Sequence, residues 1–164
     1  MLARPLTVDD LTAYRALHRF ALAHAPYAFA ETSGQDAART DAEVAATLAR
    51  GETWGLLIAE RVVGKLVIDT PPYEAFRHTR WLHGVFVHPD ARGAGAADVL
   101  VRGAIADAQQ KGAVRILLWV NAENRAARRF YEKLGFLEAG RIDQGIAVDG
   151  GLVDDVLMQL KVGP

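Results

Sequence analysis

The sequence predicts an α/β chain, more fully an α+β one: a single-domain mixed β-sheet flanked by helices. Three observations carry that class. Residues 81–87 form an apolar, β-favouring run that stops at Pro89, bends through Gly93 and Gly95 and passes straight into a helical pattern. Residues 53–59 and 62–69 are two strand-like runs joined by Glu60 and Arg61, the spacing of a hairpin. Residues 114–120 are almost continuously apolar, as a strand covered on both faces must be, and they lie between two helical patterns. Hairpins alternating with strand–helix–strand crossovers make a mixed sheet.

The remaining elements follow in order. Residues 2–8 read as a short first strand, kept to an edge by Pro5. Thr7 and Asp9 offer caps to a helix in which Leu11, Tyr14, Leu17, Phe20 and Ala21 recur at helical spacing. Residues 24–40 read as a loop around Pro26 and Gly34. Residues 41–50 make a weaker helix carrying Val44 and Leu48, closed by Gly51. Pro71, Pro72 and Tyr73 open a loop that lasts to His78, and the next strand covers residues 80–87. From residue 95 to 111, Ala97, Leu100, Val101, Ala104, Ile105 and Ala108 trace one apolar stripe, and Gly112 ends it. Beyond the central strand, a polar segment with Asn121 and Asn124 leads into a helix that stops at Gly135. Residues 136–142 and 152–160 read as two last strands about a turn containing Gly150 and Gly151.

Composition removes several kinds of chemistry. At 164 residues the chain fits one domain, 1–164, with room for a substantial core. A net charge of −1 argues against nucleic-acid or anionic-membrane binding through net charge. No apolar run approaches the roughly 20 residues of a membrane span, and the first residues do not spell a signal peptide, so a cytoplasmic location is expected. There is no cysteine, hence no disulfide, thiolate metal site or cysteine nucleophile. The one serine, Ser33, sits in a polar stretch unlike a nucleophile elbow. His78, His83 and His88 are five apart, which sets neighbours on opposite faces of an extended segment, so no metal is expected.

The turn after Val87 is the most informative stretch. Gly93 and Gly95 allow a tight bend and a close approach of ligand to backbone, and the next helix points its unpaired N–H groups into the same space. That suits a phosphate. A Walker A loop would need a lysine and hydroxyl that are missing, and a dinucleotide fingerprint would need glycine where Asp98 stands. An ordinary strand–turn–helix joint remains the plain reading of the residues alone. The spelling Arg92-Gly93-Ala94-Gly95-Ala96-Ala97, of the form Arg-x-x-Gly-x-Ala, resembles the acetyl-CoA loop of the GNAT N-acetyltransferase superfamily. About one strand later, Asn124 to Phe136 resembles the second signature of that superfamily, Asn-x-x-Ala-x-x-x-Tyr-x-x-x-Gly-Phe. The resemblance spans roughly residues 53–160.

The resemblance implies an acetyl-CoA-dependent N-acetyltransferase without a metal, acting on a small-molecule amine or a peptide N-terminus by direct attack in a ternary complex. It allows a homodimer. The rival is a non-catalytic acyl-CoA-binding regulatory domain of the same fold. Acetyl-CoA would lie where strands 80–87 and 114–120 part. Arg92, Gly93, Ala94, Gly95, Ala96 and Ala97 would hold the pyrophosphate through backbone N–H groups. Backbone at Phe86 and Val87 would pair with the pantetheine arm, and Asn124 would hydrogen-bond the cofactor. Tyr131 would protonate the departing thiolate. Read from the residues alone, Tyr131 can equally be core and Asn124 a helix cap. Relatives in the superfamily often carry a glutamate base on the strand before the glycine loop, and here that region reads Trp81-Leu82-His83-Gly84-Val85. His83 is therefore the candidate base, as a histidine titrating near neutrality, with a structural histidine as the alternative. Glu31, Tyr73 and Glu74 lie in loops and are further candidates for the same role, though spacing does not place them at the site.

Overall fold

The seven strands are β1 (Leu2–Pro5), β2 (Thr53–Ile58), β3 (Arg61–Asp69), β4 (Thr79–Val87), β5 (Arg115–Asn121), β6 (Leu137–Val148) and β7 (Gly151–Lys161). In the computed structural model, which describes residues 1–148 and 150–163, they form one mixed sheet in the order β1-β2-β3-β4-β5-β7-β6. The helices are α1 (Leu11–His24), α2 (Ser33–Ala38), α3 (Asp41–Leu48), α4 (Ala96–Gln110) and α5 (Arg125–Lys133). This is the mixed α/β class expected from the sequence. Among the described residues, no helix is long and apolar enough to cross a membrane. The chain divides into two units, Met1–Asp69 with Gly84–Asp107, and Thr70–His83 with Ala108–Pro164.

In the first unit, β1 pairs antiparallel with β2, and β2 with β3. The hairpin turn is Ala59-Glu60, both in the left-handed region at φ 47° and 64°, which matches the twist of the flanking strands. Tyr14, Leu17, His18, Ala21 and Leu22 are the buried positions that give α1 its inward stripe. They feed two clusters: Leu6 and Tyr14 with Val44 and Leu48 of α3, and Leu17, Ala21 and Ala25 with Phe86. The first strand ends at Pro5, short of the expected residue 8. Thr7 and Asp10 are instead taken up by a capping box, with Asp10 paired to Arg4 at 2.8 Å.

Residues 24–40 are more ordered than a loop. A single 3₁₀ turn covers Pro26–Ala28 and α2 follows. The cause is local: Thr32 and Gln35 form a capping box, and Thr40 with Glu43 repeats it at the start of α3. The side chain of Arg15, itself buried, then ties the segment to α1 through the Asp41 carboxylate at 2.6 Å and the Arg39 carbonyl at 3.0 Å.

In the second unit, β5 pairs parallel with β4 from Thr79↔Arg115 to Trp81↔Leu117, and antiparallel with β7 from Arg115↔Lys161 to Asn121↔Asp155. This central placement explains its apolar character. The last hairpin, β6 with β7, is longer than expected and carries two register shifts.

β4 does not alternate to its end. Gly84 sits at φ +63°, and the two consecutive residues Phe86 and Val87 are both buried. A left-handed residue inside a strand turns the following side chains off the alternating pattern. Gly84→Ala should therefore destabilise the fold by about 1–2 kcal/mol, the cost of a Cβ in that region. Gly34→Ala in exposed α2, where φ is not positive, should stabilise by about 0.5 kcal/mol. Urea unfolding of the two variants checks both signs.

Candidate functional site

The glycine loop lies in the first unit and is built by short local bonds. After β4, the His88 N–H donates to the Val63 carbonyl at 2.8 Å, and a 3₁₀ turn over Pro89–Ala91 brings the Arg92 N–H to the Pro89 carbonyl at 3.1 Å. Arg92 Nε donates to the Val87 carbonyl at 3.0 Å, and its guanidinium stands 5.7 Å from the centre of the Phe86 ring. Arg92 is thus joined to β4 at the residues expected to pair with the pantetheine arm. Gly93 and Gly95 are both left-handed, at φ +85° and +76°, with open space where a Cβ would stand. Gly93, Ala94 and Gly95 are exposed, Ala97 is half-buried, and Ala96 is buried. A helical hydrogen bond runs from the Val99 N–H back to the Gly95 carbonyl. The N–H groups of Ala96, Ala97 and Asp98 precede it and have no partner further back in the helix. The loop therefore has the properties of an anion cradle: positive dipole end, forward-facing donors and nothing but hydrogen at its two bends.

Asn124 and Tyr131 belong to the second unit and share α5. Asn124 Oδ1 accepts the Ala127 N–H at 3.1 Å, so it caps the helix that carries Tyr131. At the other end, the Gly135 N–H bonds the Glu132 carbonyl and the Phe136 N–H bonds the Tyr131 carbonyl, each at 3.0 Å. With Gly135 at φ +97°, this is a Schellman close, completed by the Phe136 ring 5.6 Å from the Tyr131 ring. The spacing Tyr-x-x-x-Gly-Phe is therefore the spacing of a helix end that clamps its own tyrosine. Burial drives the Tyr131 phenol well above the ordinary tyrosine range, so it is protonated at any physiological pH. His83, in the same unit, is exposed on β4.

A cluster that spacing does not reveal lies in the first unit. Lys65 is 2% exposed in the middle of β3. Its ammonium donates to the Gly84 carbonyl at 3.2 Å and sits 4.7 Å from the centre of the Phe29 ring. Burial pulls it from 10.5 down to about 8, against the opposing pull of Glu31 and Asp36. His18 Nε2 meets Glu31 Oε2 at 2.9 Å, and its ring stacks on Tyr14 and meets Phe29 edge-on. Burial first, and the Lys65 charge second, hold His18 below its ordinary value, so the imidazole is neutral at pH 7. Burial likewise pushes the Tyr14 phenol up to about 12. Ligand atoms of His18, Glu31 and Asp36 fall within 4.8 Å of one another, a spacing that fits a metal ion. Three cations already face that group, however: Arg19 at 3.3 Å from Asp36, Arg39 at 3.8 Å from Glu31, and Lys65. A divalent ion would have to enter against them. Of the charged residues and His18 in this cluster, the sequence offers only Glu31 as a candidate for chemistry. Lys65 carried no signal, because one lysine in a strand reads as an outward-facing position.

The Lys65 ammonium makes stability depend on pH in a definite direction. Its folded value lies below its unfolded one, so between about pH 8 and 10.5 the unfolded chain holds a proton that the folded chain has released. Stability then rises with pH across that window. Measured by urea unfolding against Lys65→Met, the wild type should gain about 2 kcal/mol between pH 7.5 and pH 10. A difference that stays flat would show that the ammonium keeps its charge when buried.

Comparison with known proteins gives this geometry a lineage. The acetyltransferase (GNAT) family matches residues 15–136. The chain is 42% identical over 62 residues to an uncharacterized N-acetyltransferase of Methanocaldococcus jannaschii, covering 38% of this chain and 27% of that one. It is 30% identical over 94 residues to the L-amino acid N-acyltransferase MnaT of Escherichia coli, covering 57% and 54%. These matches thus span less than two thirds of the relatives' own length. Among solved structures, the fold resembles that of yncA from Salmonella typhimurium with its cofactor acetyl-CoA. The TM-score is 0.85 at 21% identity, over 100% of this chain and 95% of that one. By the family match across most of its length, the chain belongs to the GNAT acetyltransferase family.

Proposed function

We propose that the chain, residues 1–164, is one acetyl-CoA-dependent N-acetyltransferase domain that passes an acetyl group to a primary amine by direct attack in a ternary complex. The glycine loop carries this reading: two left-handed glycines without side chains, followed by the N-terminus of α4, in a chain of the GNAT family. Its N–H groups bind the pyrophosphate of acetyl-CoA. Backbone at Phe86 and Val87 pairs with the pantetheine arm, and the Val87 N–H faces the thioester oxygen, where it stabilises the oxyanion formed on attack. With no cysteine in the chain, no thiol can hold the acetyl group, which agrees with transfer in one step.

Tyr131 gives its proton to the leaving thiolate. A phenol held high by burial keeps its proton until the thiolate forms, and the same dry surroundings raise the basicity of that thiolate. Asn124, as the cap of α5, sets the helix that presents Tyr131 and has an amide N–H₂ left for the cofactor. The acceptor is a small amine, an amino acid or a peptide N-terminus; the name of the Escherichia coli relative favours amino acids. On β4, His83 is the candidate carrier for the amine's proton.

Release of CoA from acetyl-CoA across a panel of amines and amino acids is the deciding assay, with calorimetric binding of acetyl-CoA beside it. Tyr131→Phe should lower kcat by roughly 10²-fold and leave acetyl-CoA affinity within about twofold. Gly95→Val, which puts a branched side chain at a left-handed bend in the cradle, should weaken acetyl-CoA binding by about tenfold or more. Binding without turnover of any amine would favour the regulatory domain over the enzyme.

A further inference from the structure

An acceptor amine with a pKa near 10 arrives as an ammonium and cannot attack until a proton is removed. Residues 79–87 of β4 include no carboxylate to remove it. The buried cluster of the first unit holds a carboxylate with no role in the cofactor site. We propose that Glu31 is the catalytic base that takes this proton, in place of His83, with His18 as the residue that positions it. The proposal rests on the acetyltransferase reading above.

The geometry separates the two carboxylates of the cluster. The Asp36 side chain is only 3% exposed and is held by Arg19 Nε at 3.3 Å, so it neutralises charge inside the protein. The Glu31 side chain is 30% exposed. One of its oxygens accepts from His18 at 2.9 Å, and the other stands 3.8 Å from the Arg39 guanidinium, beyond hydrogen-bond reach. A neutral His18 with its Nε2 against a carboxylate must carry its hydrogen there, and its Nδ1 is buried with no hydrogen-bond partner. His18 therefore donates to Glu31 and fixes one oxygen, leaving the other to receive a proton. This is an orienting partner behind a base.

The cluster also lies beside the strand that would hold the thioester. The His18 ring meets the Phe29 ring at 6.2 Å, and Phe29 meets Phe86 at 6.2 Å. Lys65 fastens the same group to β4 at the Gly84 carbonyl. An aqueous carboxylate is a poor base for an alkylammonium, but the interior that lowers Lys65 to about 8 would lower a bound ammonium too, and that narrows the gap. The protons balance. Glu31 takes the first proton of the ammonium and returns it to solvent through its exposed side. The nitrogen then forms its bond to the acetyl carbon as the C–S bond breaks. Tyr131 protonates the sulfur, and the second nitrogen proton restores Tyr131.

The test compares wild type with Glu31→Gln on the best amine of the panel, from about pH 6.5 to about pH 10. Circular dichroism serves as the fold check. Near neutral pH, kcat should fall by roughly 10²-fold with the KM for acetyl-CoA unchanged. The deficit should shrink as the pH nears the amine's own pKa, because solvent then supplies the free amine. Glu31→Asp, which keeps the carboxylate, should stay within about tenfold of wild type. A Glu31→Gln kcat equal to wild type, or a deficit that does not change with pH, overturns the proposal and leaves the acetyltransferase reading standing. A wild type that binds acetyl-CoA but releases no CoA with any amine of the panel defeats that reading and this proposal together. Should Glu31→Gln unfold, Glu31→Ala is judged by the same criteria.

Discussion

A single buried ammonium organises the first unit. Lys65 lies in the one stretch of β3, Val63 to Leu66, where every residue is buried, so its charge cannot reach water and must be answered inside. The answer comes from three directions: a carbonyl of β4, the face of Phe29, and the carboxylates of Glu31 and Asp36. The first comes from β4 and the other two from residues 24–40, so folding around Lys65 fixes where that segment runs. The carbonyl that accepts from Lys65 belongs to left-handed Gly84 itself, so the kink in β4 and the buried ammonium meet at one residue. Burial of this kind is expensive. It serves here to bind an otherwise polar segment to the strand that leads into the glycine loop.

Much of this was legible in the sequence wherever a structure is set by neighbours in the chain. Most of the inward stripe of α1, the β2–β3 hairpin and the glycine bends could be read because hydrophobic spacing and turn residues act locally; Phe20, expected on that stripe, is instead exposed, and His18 and Leu22 are buried. The clamp on Tyr131 could be read as a spacing, and its cause appears in the hydrogen bonds of Gly135 and Phe136. The helix α2 was missed at six residues, too few to show a period, although its Thr32–Gln35 capping box was written out. Lys65 was illegible for a deeper reason. Its burial depends on both faces of β3 being covered, and that is decided by elements far away in sequence. His18 carries no signal in the sequence, because its partner, Glu31, reaches it from thirteen residues away across a turn.

The same dryness acts on opposite charges to one end. It lowers the Lys65 ammonium and the His18 imidazolium, and it raises the phenols of Tyr14 and Tyr131. Each group is moved toward its neutral form. At neutral pH this leaves the two phenols protonated while Lys65 keeps its charge, answered by Glu31 and Asp36.

The last hairpin has a consequence for handling the protein. β6 is the outer strand of the sheet, and exposed Leu137 and Ile142 lie along it. A long, flat edge of that kind would recruit strands from other molecules. Two register shifts, between Glu138 and Gly140 and between Ile142 and Ile146, interrupt the ladder. Arg141 sits between them, paired with Asp154 and Glu138. The edge is thereby broken into pieces too short to template a neighbour, and the protein should remain monodisperse at concentrations where a straight edge would aggregate.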